Sequence, residues 1–185
     1  GSAPIGVAVN SVTNKVYVAN FDSGNVTVID GSDNSTTTVP AGTRPLGIAL
    51  NPVTNKIYAA NLGSSFVTVI DGANNSPTNI ATGNAPRAVG VNPITNKIYV
   101  ANDTSGNVTV IDGSNNSTST VPSGAGPHAV GVNPVTNKIY IANYNGSSVT
   151  VIDGSYNLTS TVATASQPIA VAVNSVTNKI YVTNS

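Results

Sequence analysis

The chain contains many short apolar runs, and each run ends in turn-forming residues. The runs recur in groups of four, and the first run of each group is almost entirely apolar and rich in glycine and alanine. It occurs at Ile5–Val9, Leu46–Leu50, Ala88–Val91, Ala129–Val132 and Ile169–Val173. A strand that is apolar on both faces is covered on both sides, and small residues let neighbouring backbones come close. We therefore expect this run to be a dry, innermost strand.

The three runs that follow are progressively more polar. The second begins with Lys and carries Tyr at its third position, as in Lys15–Asn20. The third reads Val-Thr-Val-Ile-Asp-Gly, at Val26–Gly31, Val67–Gly72, Val108–Gly113 and Val149–Gly154. The fourth is mostly Thr and Ser, as in Thr36–Val39 and Thr118–Val121. Runs spaced by about ten residues, with Asn, Pro and Gly between them, predict an up-and-down antiparallel meander.

The four runs form a unit of 41 residues that repeats without insertion or deletion. Its clearest marker, Thr-Asn-Lys-Ile/Val-Tyr, stands at Thr13–Tyr17, Thr54–Tyr58, Thr95–Tyr99, Thr136–Tyr140 and Thr177–Tyr181. A period of this length is typical of a repeat architecture. The units are residues 3–43, 44–84, 85–125 and 126–166, followed by a half unit at 167–185. Residues 1–2, Gly-Ser, are interpreted as a cloning remnant.

A sheet that runs from a dry inner strand to a wet outer strand matches the blade of a β-propeller. One such blade cannot bury its apolar faces alone and packs against its neighbours. We predict an all-β fold, a β-propeller built from 41-residue four-stranded antiparallel blades, with four full repeats plus a half repeat.

Composition supports this fold and removes several functions. Glu, Met, Cys and Trp are absent, while Val, Ile, Thr and Tyr favour strands. Seven cations balance seven anions, so the chain has no electrostatic footprint for nucleic acid or an acidic membrane. Without Cys there is no disulfide, thiolate metal site or cysteine nucleophile. We find no secretory signal and no apolar run long enough to span a membrane.

The half unit raises the question of how the ring closes, because Ala3–Asn20 and Gln167–Asn184 are near copies competing for one place. A four-bladed ring would leave one hairpin unpaired, and a five-bladed ring would close with an incomplete blade. Alternatively, the half unit pairs with the third and fourth strands of another chain. We favour this homodimer, a strand-swapped ring of about eight or nine blades, because near-identical interfaces make swapping cheap. An open-ended segment of a longer repeat protein is a further alternative.

The polar residues that recur in every unit are interpreted as structural. The repeated Asp precedes Gly at the end of the third run and is expected to cap the turn rather than bind cations. The repeated Tyr is expected to pack between blades with its hydroxyl partnered, and the repeated Lys to lie in solvent at a turn. These residues are Asp30, Asp71, Asp112 and Asp153; Tyr17, Tyr58, Tyr99, Tyr140 and Tyr181; and Lys15, Lys56, Lys97, Lys138 and Lys179.

Residues that differ between units are the better candidates for recognition. They lie in the loops between the fourth and first strands and between the second and third strands, which we expect to share one face of the propeller. Such a face is where propellers usually bind ligands or partners. The candidates are Phe21, Asp22, Arg44, Leu62, Arg87, Asp103, His128, Tyr144 and Gln167. Neutral variation at exposed loop tips is the alternative. With one His and no Cys or Glu, we predict no catalytic residue, no metal site and no cofactor.

The repeat resembles the YVTN family of β-propeller repeats. The resemblance rests on Tyr181–Asn184, on the variants Tyr17–Asn20 and Tyr99–Asn102, and on the Val-Thr-Val-Ile-Asp run and the Pro-x-Gly/Ala-Val-Ala-Val entry. It covers the whole chain after the first two residues. It implies a seven-bladed propeller typical of surface-layer and other secreted proteins, located outside the cell or at its surface, and it implies no reaction. The blade count of this chain departs from that pattern.

These observations favour a non-enzymatic scaffold for protein interaction or structural assembly at the cell surface, with the ring completed by self-association. Other surface proteins or glycans are possible partners. The alternative is a propeller that binds carbohydrate or another small ligand at the loop face. An enzyme or redox module is disfavoured because no ligand set for a metal, quinone or haem is evident.

Overall fold

All eighteen secondary-structure elements of the protein are β-strands. A computed structural model describes residues 1–185. Unit 1 contains β1–β4 at Pro4–Asn10, Lys15–Asn20, Asn25–Asp30 and Thr36–Pro40. Unit 2 contains β5–β8 at Pro45–Asn51, Lys56–Asn61, Phe66–Asp71 and Pro77–Ala81. Unit 3 contains β9–β12 at Pro86–Asn92, Lys97–Asn102, Asn107–Asp112 and Thr118–Pro122. Unit 4 contains β13–β16 at Pro127–Asn133, Lys138–Asn143, Ser148–Asp153 and Leu158–Ala163. The half unit contains β17–β18 at Pro168–Asn174 and Lys179–Asn184. No helix that could cross a bilayer is present.

Each full unit is one antiparallel sheet whose four strands lie in chain order, and the half unit is a two-stranded sheet. The predicted meander is therefore confirmed. Its first turn is built by two asparagines, since Asn10 Oδ1 accepts the Val12 amide at 3.0 Å and Asn14 adopts a φ of 54°. Asn tolerates this left-handed conformation better than most residues. The same two positions recur in every unit.

The sheets pack face to face through their innermost strands. β1 packs on β5, β5 on β9, β9 on β13, and β13 on β17. No comparable packing joins β17 to β1, and β2 stays paired with β3 of the same chain. The five sheets therefore form an open, propeller-like arc, and neither of the two single-chain rings is formed.

Burial does not fall steadily from the first strand to the fourth, which corrects one prediction. In unit 2, β6 and β7 are buried along most of their length, whereas β5 is half-buried and β8 is exposed. The second and third strands have a neighbour on both edges as well as a sheet on both faces. The first strand pairs with β6 on one edge only, and this leaves its small side chains partly accessible.

The repeated Tyr fills the interface between units. Tyr58 is fully buried and packs with β-branched residues of its own unit and with Ile98 and Val100 of the next. The hydroxyls of Tyr17, Tyr58 and Tyr99 are buried and have no hydrogen-bond partner within the protein, which differs from the expectation that each would find one. Burial raises the pKa of Tyr58 to about 12, because an ionised phenol would lose its hydration.

Polar links between units lie at the same level in every interface. Asn10 Nδ2 donates to Asn55 Oδ1 of the next unit at 2.9 Å, and three equivalent bonds follow along the arc. Lys97 Nζ donates to the carbonyl of Gly154 in the next unit at 2.8 Å. Lys15 and Lys97 are therefore part of an interface, whereas Lys138 and Lys179 are exposed as predicted.

The repeated Asp residues act within their own turns. Asp71 Oδ1 accepts the amide of Ala73, two residues further along the chain, at 2.9 Å, and the equivalent bond forms in all four full units. This is the turn-capping geometry expected of Asp. A hydrogen bond from the Ser32 hydroxyl is the main cause that lowers the pKa of Asp30.

Candidate functional site

The loops that carry the candidate residues do lie on one face. The Leu62 amide donates to the carbonyl of Arg44 at 2.9 Å, which ties the β6–β7 loop to the β4–β5 loop. Equivalent bonds join Asp103 to Ala85 and Tyr144 to Gly126. The antiparallel strand order places these two loops at the same ends of their strands, so the sequence-based expectation of a shared face is met.

Three candidates converge in a cleft of about 530 Å³ between units 1 and 2. Phe21 and Asp22 come from the β2–β3 loop, and Arg44 comes from the β4–β5 loop. The Arg44 guanidinium carbon lies 5.6 Å from the centroid of the Phe21 ring, which is within cation–π distance. The cleft thus has an apolar ring, a cation and a carboxylate around one opening.

Phe66 completes this cleft and was not predicted from the sequence. The equivalent positions in units 1, 3 and 4 hold Asn25, Asn107 and Ser148, whose side chains accept from a buried Asn. Phe66 cannot accept, so the Asn61 side chain donates to the backbone carbonyl of Phe66 instead, at 3.1 Å. An aromatic residue where the other units hold Asn or Ser is a signal that comparison of the repeats could have found.

Gly42 makes room for Phe66. A Cβ at Gly42 would lie 2.7 Å from the Asn61 side chain and 2.8 Å from the Phe66 ring. Any larger side chain would therefore push the ring or the loop aside. Both Phe residues of the chain line this one cleft. No other unit has a Phe at either of the two equivalent positions.

Four further candidates form a second cluster in units 3 and 4. Arg87 Nη1 lies 3.6 Å from Asp103 Oδ2, and the His128 and Tyr144 rings pack with centroids 4.9 Å apart. Arg87 and His128 each follow a Pro where the strand register shifts, and such a bulge re-aims a side chain. Within the cluster, the Arg87 cation and the Asp103 carboxylate pair with each other, and the four side chains do not line an open cleft.

Burial is the main cause that lowers the pKa of His128, and the Arg87 cation lowers it further. The Asp103 carboxylate opposes them. His128 is therefore held neutral to lower pH than a free histidine. The groups around His128 are therefore the Tyr144 ring, the Arg87 cation and the Asp103 carboxylate.

The two remaining candidates stand apart from these groups. Leu62 touches the cleft region only through its backbone bond to Arg44. Gln167 lies in the half unit, where its Oε1 accepts the Ser185 hydroxyl at 3.1 Å. No group of three or more His or Asp side chains that could hold a metal ion comes together.

The first uncovered surface of the arc is the front face of unit 1, formed by Ile5, Val7 and Val9 of β1 with Val16 and Val18 of β2. Val7 and Val9 are each 62% exposed and Ile5 is 56% exposed. The equivalents of Val7 and Val9 in unit 2, Ile48 and Leu50, pack in the interface core with unit 1. The front face therefore has the composition of the faces that are covered inside the arc.

The second uncovered surface is the back face of the half unit, formed by Ala170, Ala172, Tyr181 and Thr183. Tyr181 is 56% exposed, whereas the same Tyr is at most 8% exposed in the four full units. Asn174 likewise has no neighbour for the inter-unit amide bond made at the other interfaces. The repeat in the sequence predicts surplus strands, but it does not predict which faces stay open.

Comparisons with known proteins bear on the fold alone. No protein-family model matches the chain, and no curated protein sequence matches it. Solved structures with a similar fold include hydrazine synthase from Kuenenia stuttgartiensis, with a TM-score of 0.82 at 19% identity over 93% of this chain and 53% of that one. A chain of the nidogen/laminin complex gives 0.80 at 14% identity over 99% of this chain and 72% of that one. A functionally unknown protein from Desulfotomaculum acetoxidans gives 0.84 at 14% identity over 100% of this chain and 64% of that one.

At such identities the likeness shows a propeller-like repeat fold and no shared activity. This chain spans between 53% and 72% of the length of those three chains. The resemblance to the YVTN family stays a prediction.

Proposed function

We propose that this chain is a non-enzymatic protein-interaction scaffold whose open ends bind a second copy head to tail, completing a larger propeller ring. The observation that carries the proposal is the uncovered front face of unit 1. Exposed aliphatic residues on a contiguous patch mark an interaction surface. Here the three interior interfaces show what kind of surface covers such a patch.

The two open faces are complementary in the manner of the interior interfaces. Inside the arc, the Tyr-bearing face of one unit packs against the aliphatic face of the next. The back face of the half unit offers Tyr181, and the front face of a second copy offers Val7 and Val9. Asn174 Nδ2 would then donate to Asn14 of the second copy, as Asn133 donates to Asn178 at 2.9 Å within the chain.

This arrangement requires no strand exchange. Unit 1 keeps its four strands, and the half unit stacks on the next copy as a narrow blade. A location outside the cytoplasm belongs to the proposal and rests on the resemblance to the YVTN family.

Mass in solution, measured by light scattering coupled to size exclusion over a range of concentrations, tests the proposal. A dimer is expected. A monomer at every concentration would contradict it, and a concentration-dependent ladder would contradict ring closure while retaining end-to-end binding.

A second candidate function is small-ligand binding in the cleft of Phe21, Asp22, Arg44 and Phe66. It is favoured by the convergence of both Phe residues with a cation at one place. Aromatic faces and paired polar groups suit a sugar ring, an acidic sugar in particular. Titration with glucuronic acid, followed by the amide signals of Gly24 and Gly42, is expected to shift those signals in the parent chain and not in Arg44→Ala. Unchanged signals in both proteins would remove this candidate.

A further inference from the structure

The cleft between units 1 and 2 is lined by two side chains of opposite charge, Asp22 and Arg44. Both residues are exposed, and the ion pairs of the chain lie elsewhere. Each charge is therefore available to a molecule that enters the cleft.

The second cluster shows that unpaired charges are a property of this cleft and not of the whole loop face. In the cluster, Arg87 Nη1 lies 3.6 Å from Asp103 Oδ2, so the two charges pair with each other. In the cleft, the Arg44 guanidinium carbon lies 5.6 Å from the centroid of the Phe21 ring instead. The cation and the carboxylate of the cleft thus stay unpaired although they line the same opening.

Backbone contacts hold both charged residues in place. Arg44 adopts a φ of 55°, and its carbonyl accepts the Leu62 amide at 2.9 Å. The loop of Asp22 is closed by the Gly24 amide, which donates to the carbonyl of Asn20 at 3.1 Å. Because these backbones are already fixed, their ordering costs little when a ligand binds.

This arrangement is poorly suited to a ligand with a single charge. A carboxylate that pairs with Arg44 would also meet the like charge of Asp22, and an ammonium that pairs with Asp22 would also meet Arg44. Like-charge contacts weaken binding, whereas a ligand that carries both groups gains two charge-assisted hydrogen bonds. The Phe21 and Phe66 rings offer apolar surface to the body of such a ligand.

We propose that the cleft binds a small zwitterion. Its ammonium pairs with Asp22, its carboxylate pairs with Arg44, and its uncharged body contacts the two Phe rings. The inference rests on the second candidate function, ligand binding in this cleft, and narrows the ligand class. Amino acids and acidic amino sugars share this chemistry. The cleft lies between two complete units, so it does not depend on how the ends of the arc are covered.

Four probes separate the contributions of the two charges. Muramic acid is an amino sugar with a carboxylate, glucuronic acid carries only a carboxylate, glucosamine carries only an ammonium, and phenylalanine is a zwitterion that is not a sugar. Each is titrated at low ionic strength, where exposed charges are least screened, and binding is followed by the amide signals of Gly24 and Gly42.

We expect at least one zwitterion to bind about fivefold more tightly than either singly charged sugar, the gain available from an exposed charge pair. Tighter binding of muramic acid than of phenylalanine would assign the ligand to the amino sugars, and the reverse order would assign it to the amino acids. Either order supports the inference.

Asp22→Asn should act in opposite directions on two probes. It should weaken the zwitterion about fivefold, because the ammonium loses its partner, and it should strengthen glucuronic acid, because a like charge is removed. Asp22 is exposed, so this variant is expected to fold. Asp103→Asn is the matched control, because it removes the same charge from the same face outside the cleft, and it should leave both affinities unchanged.

A zwitterion that binds no more tightly than glucuronic acid would overturn the inference and leave ligand binding in the cleft standing. Unchanged affinity of the zwitterion in Asp22→Asn would overturn it as well. Unchanged Gly24 and Gly42 signals with all four probes would remove both the inference and the second candidate function, and the proposed scaffold would still stand.

Discussion

Val7→Asp is the most direct perturbation of the proposed head-to-tail junction. Val7 lies on the front face, is 62% exposed in the single chain and has the interface residue Ile48 as its equivalent in unit 2. In a single chain, the Asp side chain would stay in solvent. The cost to folding is therefore limited to strand propensity, which spans about 1 kcal/mol.

The cost to association is much larger. Covering the exposed part of a Val side chain contributes about 1–2 kcal/mol, and this contribution is lost. Leaving an unpaired carboxylate in a buried interface costs about 3–5 kcal/mol more. The total of roughly 4 kcal/mol or more raises the dissociation constant of each junction about a thousandfold.

Two measurements on the same sample test this prediction. Light scattering gives the mass of the particle, and thermal unfolding gives its stability. We expect the parent chain to be a dimer and the Val7→Asp chain to be a monomer with nearly unchanged unfolding. Val12→Asp is the matched control, because Val12 is 74% exposed at a turn outside the front face, and it should remain a dimer. A Val7→Asp chain that dimerises like the parent would refute the reasoning.

Four further predictions concern single side chains. Thr183 stands where the four full units have a fully buried Ala. Because overpacking costs about 1–3 kcal/mol, Thr183→Ala should lower the dissociation constant of the dimer about tenfold, as measured by light scattering. A weaker dimer would contradict this prediction. Tyr58→Phe should raise the free energy of unfolding by about 1 kcal/mol, because the buried hydroxyl is unpartnered, while exposed Tyr181→Phe should change nothing. The raised pKa of Tyr58 favours the neutral phenol in the folded state. The free energy of unfolding, measured in denaturant titrations, should therefore fall as pH rises from 10 towards about 12, and it should fall less steeply in Tyr58→Phe. Equal slopes in the two proteins would argue against this prediction. Asp103→Asn should lower the pKa of His128 further in an NMR titration, because the carboxylate stabilises the imidazolium, and a higher pKa would exclude that contact.

Local pattern was sufficient for the strands and turns. The alternation in Lys15–Asn20 and the Asn residues of each turn act within a few positions, and the repeat presents the same signal five times. The role of the repeated Asp was also predictable, because its hydrogen bond spans only two residues.

Bonds between units could not be predicted in the same way. The Asn10–Asn55 and Lys97–Gly154 contacts join residues 45 and 57 positions apart. The local sequence around either residue does not indicate which distant residue it will contact. The same Asn would form the hydrogen bonds of its own turn with or without a neighbouring unit.

The sequence by itself determined the repeat, the four-stranded blades and the surface on which the variable loops lie, because all three follow from a fixed period and antiparallel strand order. Only the tertiary structure decided which variable residues meet, such as Phe66 with Phe21 and Arg44, and which faces stay uncovered. These depend on how neighbouring sheets are set against one another in space. Val39 and Val162 occupy the same place in the repeat, yet one is 2% and the other 54% exposed. The difference lies in the presence or absence of a neighbour.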